Sequence, residues 1–268
     1  MRLQNKIAYI TGAGNGIGEA TAEAMAREGA AVAVVDLDRD AAALVADRLC
    51  AAGARAIALA VDVSDPEAVR TSIGQVVDEF GRLDILHLNA AAGVPGDTNA
   101  VNNDLDVWER LFRVNVMGVV HGIKYGVPRM IEAGGGSVII TSSMGGQAGD
   151  LNRAAYGSLK AAVTALTRYL SVSHGRSGIN ANAILPGLVL SPTAAAQFPA
   201  SLAAAVTKHQ TTDRLTQPSD VANLAVFLAS DEAIAIRGQA IAIDAGGSAQ
   251  GGATPTLADA VAALVVST

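Results

Sequence analysis

One α/β domain, built on a doubly wound parallel sheet of seven strands with helices on both faces, is the fold class this sequence predicts. Three observations predict it. Short apolar runs recur between longer stretches of helical periodicity, the pattern of parallel strands joined by crossover helices. The first run is followed at once by a glycine-rich turn and a helical pattern. No Pro/Gly/Ser linker divides the middle of the 268 residues, so residues 1–247 read as a single domain and residues 248–268 as a C-terminal extension.

Composition narrows the function classes. Half of the residues are hydrophobic but only 3% are aromatic, so Ala, Val, Leu and Ile must fill the core and helices must pack close to the sheet. The net charge of −6 leaves no basic footprint for nucleic acid or an anionic membrane. The single cysteine, Cys50, cannot form an internal disulfide and sits among alanines, which reads as a buried, inert thiol. The N-terminus runs into a short strand instead of a signal-peptide core, and no apolar run is long enough to span a bilayer, so the cytoplasm is the expected compartment.

Residues 6–11 form the first strand, and Gly12-Ala13-Gly14-Asn15-Gly16-Ile17-Gly18 leads into a helix that continues to about Glu28. Strand, glycine turn and helix make the first half of a Rossmann-type dinucleotide-binding unit. Glycines let the backbone approach a pyrophosphate, and the free N–H groups and positive dipole of the new helix favour its charge. Gly12, Asn15, Gly16, Ile17 and Gly18 are the candidate contacts.

The second strand, residues 31–35, ends at Asp36, eighteen residues beyond Gly18, where a ribose-binding carboxylate belongs. There Asp36 either accepts from both adenosine ribose hydroxyls or simply ends the strand. Asp36 and nearby Asp38 would repel a 2′-phosphate, which favours NAD over NADP, with Arg39 the neighbouring cation that speaks for NADP. A helix over residues 40–52 leads to the third strand, residues 55–61, closing on Asp62 and Val63. Asp62 is placed to accept from an adenine amino group or to cap a turn. Asp65-Pro66-Glu67 then starts a helix.

Residues 83–89 make the fourth strand, followed by the small-residue turn Ala90-Ala91-Ala92-Gly93. Asn89 either ties neighbouring strands together or contacts ribose. Residues 104–133 form a long helical region in which Asn115, between Val114 and Val116, is a satisfied buried amide or part of a water-holding site. The fifth strand, residues 137–142, delivers Ser143 at its carboxyl end. The sixth, residues 180–185, runs into Pro186-Gly187-Leu188-Val189-Leu190-Ser191, after which residues 192–212 read as a loose alanine-rich segment. A helix over residues 218–229 and a strand over residues 240–244 complete the sheet, and residues 257–266 are amphipathic enough to pack as a helix on the body or on a neighbouring subunit.

Tyr156-Gly157-Ser158-Leu159-Lys160 lies in an alanine-rich helical run, so its phenol and ammonium share one helix face. A cation there stabilises a phenolate, which makes Tyr156 a candidate proton-transfer group. A serine at a strand end, a phenol on the following helix and an asparagine on the preceding one can converge over a nicotinamide bound in the same crevice. His87, His121, His174 and His209 have no ligand-like pairing, so no metal is indicated.

Over residues 6–247 these features together resemble the short-chain dehydrogenase/reductase family, in its single-domain branch. The residues that carry the resemblance are Thr11 to Gly18, Asp62, Leu88-Asn89-Ala90-Ala91, Asn115, Ser143, Tyr156 with Lys160, and Pro186-Gly187, with Ser143 thirteen residues before Tyr156. The family's usual Asn-Asn-Ala-Gly turn is replaced by Leu88-Asn89-Ala90-Ala91, and the Thr usually set at the nicotinamide carboxamide appears as Ser191.

The resemblance implies reversible hydride transfer between a carbinol carbon and nicotinamide. It implies Tyr156 as acid/base, Lys160 lowering the phenol's pKa and holding the ribose, Ser143 donating to the substrate oxygen, and Asn115 linking Lys160 to solvent through a held water. Pro186, Val189 and Ser191 would join the cofactor contacts, and a homotetramer would assemble on the long helices. Substrate loops are expected at residues 93–103, 145–153 and 191–212, with Val94, Met144, Leu151, Leu188 and Phe198 as apolar contacts. No Lys or Arg lies within residues 191–207, which points to a neutral, apolar secondary alcohol or ketone, cyclic ones included. The alternatives are a 3-oxoacyl-thioester reductase, which would prefer NADPH, and a catalytically silent NAD-binding regulator.

Overall fold

The computed structural model describes residues 1–93, 95–149, 151–191 and 200–249. Seven parallel strands form one sheet in the order β3-β2-β1-β4-β5-β6-β7. They are β1 (Ile7–Thr11), β2 (Ala31–Asp36), β3 (Ala56–Ala60), β4 (Ile85–Leu88), β5 (Gly136–Thr141), β6 (Ile179–Pro186) and β7 (Ala240–Ile243). The winding reverses between β1 and β4, so the crevice at their carboxyl ends is the switch point at which such sheets take ligands.

Helices cover both faces because alternate strand residues are apolar in both directions. Ala8 and Ile10 of β1, with Val32 and Val34 of β2, face α1 (Gly16–Arg27), α2 (Arg39–Ala51) and a later helix, α8 (Pro218–Ala229), through Met25, Val45 and Val226. Ile7, Tyr9, Ala33 and Val35 point the other way. They meet α3 (Pro66–Phe80), α5 (Gly118–Glu132) and α6 (Ala154–His174) through Ile73, Val127 and Val163. Strands buried on both sides read as continuous apolar runs, as expected for a wholly parallel sheet.

Local chemistry sets the helix ends. Asp65 caps α3 by accepting from Glu67 and Ala68 N–H, Pro66 supplies a pre-set φ in the first turn, and Gly81 ends the helix at φ 86°. On α5 the glycines are packing residues: a Cβ at Gly122 would collide with Leu88 of β4, one at Gly126 would crowd Leu86 at 3.0 Å, and one at Gly118 would come within 2.8 Å of Val63 Cγ2. Three glycines at four-residue spacing thus let α5 lie directly on the sheet.

The structure bears out one long helical region and adds a π turn to it, while two other expectations are corrected. The long helical region is α4 (Leu105–Phe112), one π-helical turn (Arg113–Met117) that contains Asn115, and α5. Part of the segment expected to be loose is a helix, α7 (Ala200–Thr207), in keeping with the high helix propensity of alanine. Cys50 is exposed, because α2 buries Ala42, Val45, Ala46 and Leu49 and leaves Cys50 outside that stripe, at its edge. Its thiol reaches only the Ala56 carbonyl, at 3.5 Å. The expected helix over residues 257–266 lies outside the described residues, as do Val94 and Phe198. No helix among the described residues is long and apolar enough to cross a membrane.

Candidate active site

A cleft of about 530 Å³ opens at the carboxyl ends of the strands, with Gly12 and Asp36 at one end and Ser143, Tyr156 and Lys160 at the other. The glycine turn fits a dinucleotide phosphate. Gly12 holds φ 64°, and a Cβ there would lie 2.9 Å from Ala90 Cα. Gly16 holds φ 60°, and a Cβ there would meet only Ser191 Cβ, at 3.9 Å, so its outer side is open. Asn15 makes no side-chain cap bond, which leaves the N-terminal N–H groups of α1 to an incoming anion.

Asp36 is fixed by two backbone donors: Gly14 N–H to Oδ2 at 2.9 Å and Asp38 N–H to Oδ1 at 3.0 Å. Its carboxylate therefore stands over the glycine turn, within the lining of the cleft. Asp62 also lines the cleft and accepts from Ser64 N–H at 2.8 Å, so it closes a turn while facing the crevice. Val63 is buried beside it and its carbonyl contacts His121 Nδ1 at 2.9 Å.

Asn89 is a strand tie. Its Nδ2 donates to the carbonyls of Thr11 (3.0 Å) and Gly12 (3.2 Å), and its Oδ1 accepts from Thr141 Oγ1 at 3.0 Å, binding β1, β4 and β5 together at their ends. With its one proton on Asn89, the Thr141 hydroxyl accepts from His87 Nε2 at 2.9 Å. His87 is fully buried, and burial pushes its pKa down to about 3, so it stays neutral.

The side chain of Asn115 is also fully paired, with Oδ1 accepting from Ala92 N–H at 2.7 Å and Nδ2 donating to the Ala92 carbonyl at 3.0 Å. It is a buried, satisfied amide that pins the turn after β4 to the π turn. Val114 reaches the cleft lining, whereas Asn115 does not. Asn15 and Gly18 lie outside the lining as well. Asn15 is exposed, while Gly18 is buried where a Cβ would collide with the Gly12 carbonyl.

Ser143 follows β5 and its Oγ accepts from Gly145 N–H at 3.1 Å. Ser143 and Tyr156 line the same end of the cleft. Burial pushes the Tyr156 phenol above its ordinary value of 10.0, while the nearby Ser143 hydroxyl and the Arg153 guanidinium pull it back. Lys160 Nζ donates to the Thr141 carbonyl at 2.8 Å and lies 5.7 Å from the centroid of the Tyr156 ring. Burial in turn pushes Lys160 down to about 8.

Pro186, Val189 and Ser191 line the same crevice. Met144 and Leu188 are half-buried, and Leu151 is 87% exposed. Among the described residues no group of three or more His, Cys, Asp or Glu side chains gathers as metal ligands.

A protein-family model described as enoyl-(acyl carrier protein) reductase matches residues 12–248. The chain belongs to the short-chain dehydrogenase/reductase family. Meso-2,3-butanediol dehydrogenase of Serratia marcescens is 36% identical over 252 residues, 94% of this chain and 98% of that one. Cyclohexanol dehydrogenase of Acinetobacter sp. (strain SE19) is 34% identical over 244 residues, covering 91% of this chain and 95% of that one. The structure of a 7α-hydroxysteroid dehydrogenase complexed with NADH and 7-oxo glycochenodeoxycholic acid matches with a TM-score of 0.87 at 32% identity, covering 92% of this chain and 95% of that one.

In this short-chain dehydrogenase/reductase, two residues of the site are not legible as such in the sequence. Thr141 looks like one more strand residue in Ile139-Ile140-Thr141, yet its carbonyl holds Lys160 and its hydroxyl joins His87 to Asn89. His87 sits in an apolar strand, Ile85–Leu88, and its polarity there is the available signal.

Proposed function

We propose that this enzyme is an NAD-dependent alcohol dehydrogenase and ketone reductase acting on neutral, apolar secondary alcohols, cyclic ones included. The observation that carries this reading is the gathering of Ser143, Tyr156 and Lys160 at one end of the cleft whose far end holds the Asp36 carboxylate. Relatives named for butanediol and cyclohexanol support the substrate class.

When bound, the nicotinamide would supply the hydride acceptor for oxidation of the carbinol carbon and the hydride donor for the reverse reduction. The chain's own groups handle the proton. Ser143 Oγ–H donates to the substrate oxygen and stabilises charge developing there. Tyr156 takes the hydroxyl proton in oxidation and gives it back in reduction. Lys160, freed from the Thr141 carbonyl, would hold the ribose hydroxyls and present a cation to the phenolate. Asn115 supports a proton route outward through its backbone and a held water, its side chain being committed to Ala92. Gly12, Gly16 and Ile17 would take the pyrophosphate, Asp36 the adenosine ribose, Asp62 and Val63 the adenine, and Pro186, Val189 and Ser191 the carboxamide end.

We also infer a cytoplasmic homotetramer assembled on α4 to α6, a region that exposes Leu105, Phe112, Tyr169 and Val172. Light scattering that returned a monomer would remove the tetramer. The functional test is growth of reduced-nicotinamide absorbance with a panel of apolar secondary alcohols and either NAD or NADP. Turnover with NAD and not NADP is the expected result. Turnover confined to NADPH and a 3-oxoacyl thioester would replace the reading, and cofactor binding without turnover in either direction would favour the silent regulator.

A further inference from the structure

We propose that Asp97 is a positioning residue for the acid/base tyrosine, holding the first turn of α6 in register from a different part of the chain; this rests on the dehydrogenase reading above. Tyr156 is only the third residue of α6, so its place depends on the least secure turn of the helix. The helix supplies no cap of its own. Its N-cap residue is Arg153, held in the left-handed region at φ 63° with no side-chain cap bond.

The missing acceptors come from the loop between β4 and α4. The Asp97 carboxylate accepts from Ala155 N–H (Oδ1, 3.1 Å) and from Tyr156 N–H itself (Oδ2, 2.9 Å). The Asp97 carbonyl accepts from Arg153 N–H at 3.2 Å, and the Thr98 carbonyl from Ala154 N–H at 3.0 Å. Thus the four consecutive N–H groups of residues 153–156 are all satisfied by residues 97 and 98. Asn103 Nδ2 donates to Asp97 Oδ1 at 2.7 Å and sets the carboxylate's orientation.

A glutamine or serine cap within α6 would steady the helix alone, whereas this cap ties the helix to the segment that follows the cleft-lining turn of residues 89–92. That segment belongs to the expected substrate wall, residues 93–103. A substrate that displaces the wall would therefore move the backbone that carries Tyr156. Asp97 touches neither cofactor nor the reacting atoms; it acts through the backbone of Tyr156.

The test compares Asp97→Ala, Asp97→Asn and wild type in steady-state turnover, with the carbinol hydrogen replaced by deuterium in a parallel set. Misplacement of a proton-transfer group by a fraction of an ångström should lower kcat of Asp97→Ala at least about tenfold. The deuterium effect on kcat should rise as the chemical step becomes limiting, while the dissociation constant for NAD stays within about twofold, since Asp97 lies outside the dinucleotide cleft. Asp97→Asn, which keeps one acceptor oxygen, should recover part of kcat. An unchanged kcat would overturn the proposal, and so would a loss that matches the fraction of misfolded protein with an unaltered deuterium effect. If wild type turned over no alcohol, the dehydrogenase reading would fall by itself; amide exchange at residues 154–156 would still decide the cap. Exchange at least about tenfold faster in Asp97→Ala supports it, and equal rates refute it.

Discussion

Replacing Lys160 by methionine should abolish turnover and yet change stability in a way that depends on pH. Lys160 is 2% exposed, and burial lowers its pKa from 10.5 to about 8. The folded protein therefore releases this proton before the unfolded chain does, and between those two values the unfolded state binds more protons. Stability from this group rises with pH across that window; the penalty is complete below about pH 8 and is relieved as pH approaches 10.5. The full shift corresponds to roughly 3 kcal/mol, of which about 2 kcal/mol should be recovered between about pH 7.5 and about pH 10. Lys160→Met removes both the charge and its bond to the Thr141 carbonyl. The lost bond contributes an offset below the window, while the titration gives the slope, and all groups common to both proteins cancel in the difference. Urea unfolding of both proteins at the two pH values measures it. Wild type should gain about 2 kcal/mol relative to Lys160→Met on going to the higher pH. A difference that stayed constant would refute the buried, charged state assigned to this lysine.

Tyr156→Phe should lower kcat by at least about 10²-fold while the calorimetric affinity for NAD stays nearly unchanged, because only the proton-transfer group is lost. Thr141→Val keeps the shape of a 7% exposed side chain but strips Asn89 Oδ1 of its donor and His87 Nε2 of its acceptor. Thermal or urea unfolding should show a loss of about 2–4 kcal/mol. Gly12→Ala places a Cβ 2.9 Å from Ala90 Cα at φ 64°. It should weaken NAD binding by about tenfold or more, read by titration, with a stability loss of about 1–2 kcal/mol.

The features legible in the sequence are those written in local spacing. The interval from Tyr156 to Lys160, the glycines after β1 and the Asp65-Pro66 helix start each need only neighbours to be read. Features made by distant partners are not legible. Asp97 belongs to no motif, and only the fold brings its carboxylate to the first turn of α6. The π turn around Asn115 leaves no mark either, since a single wider turn changes neither composition nor apolar period. Cys50 is hard to place because it lies at the boundary between the apolar face of Val45, Ala46 and Leu49 and the charged face of Asp47 and Arg48, and one thiol does not tell inside from outside. The alanines of α7 do carry a signal, their helix propensity, which the expectation of a loose segment over residues 192–212 underweights. For Lys160 the shared helix face with Tyr156 is legible in the spacing, whereas its bond to the strand carbonyl of Thr141 is made by a distant partner and is not.

The glycine row on α5 sets a limit on how this enzyme can change. A Cβ at Gly118 or Gly122 would require Val63 or Leu88 to shift, and one at Gly126 would crowd Leu86, so the helix has little slack in the direction of the sheet. A larger residue there would have to displace those side chains or lift α5, and with α5 the π turn and the link from Asn115 to Ala92 that shapes the floor of the cleft. Variation in what the enzyme accepts is thereby confined to the loops above the crevice. A library aimed at new substrates would keep α5 constant and randomise residues 93–103 and 145–153, sparing Asp97 and Arg153, because the floor behaves as a fixed bearing and the rim as the adjustable part.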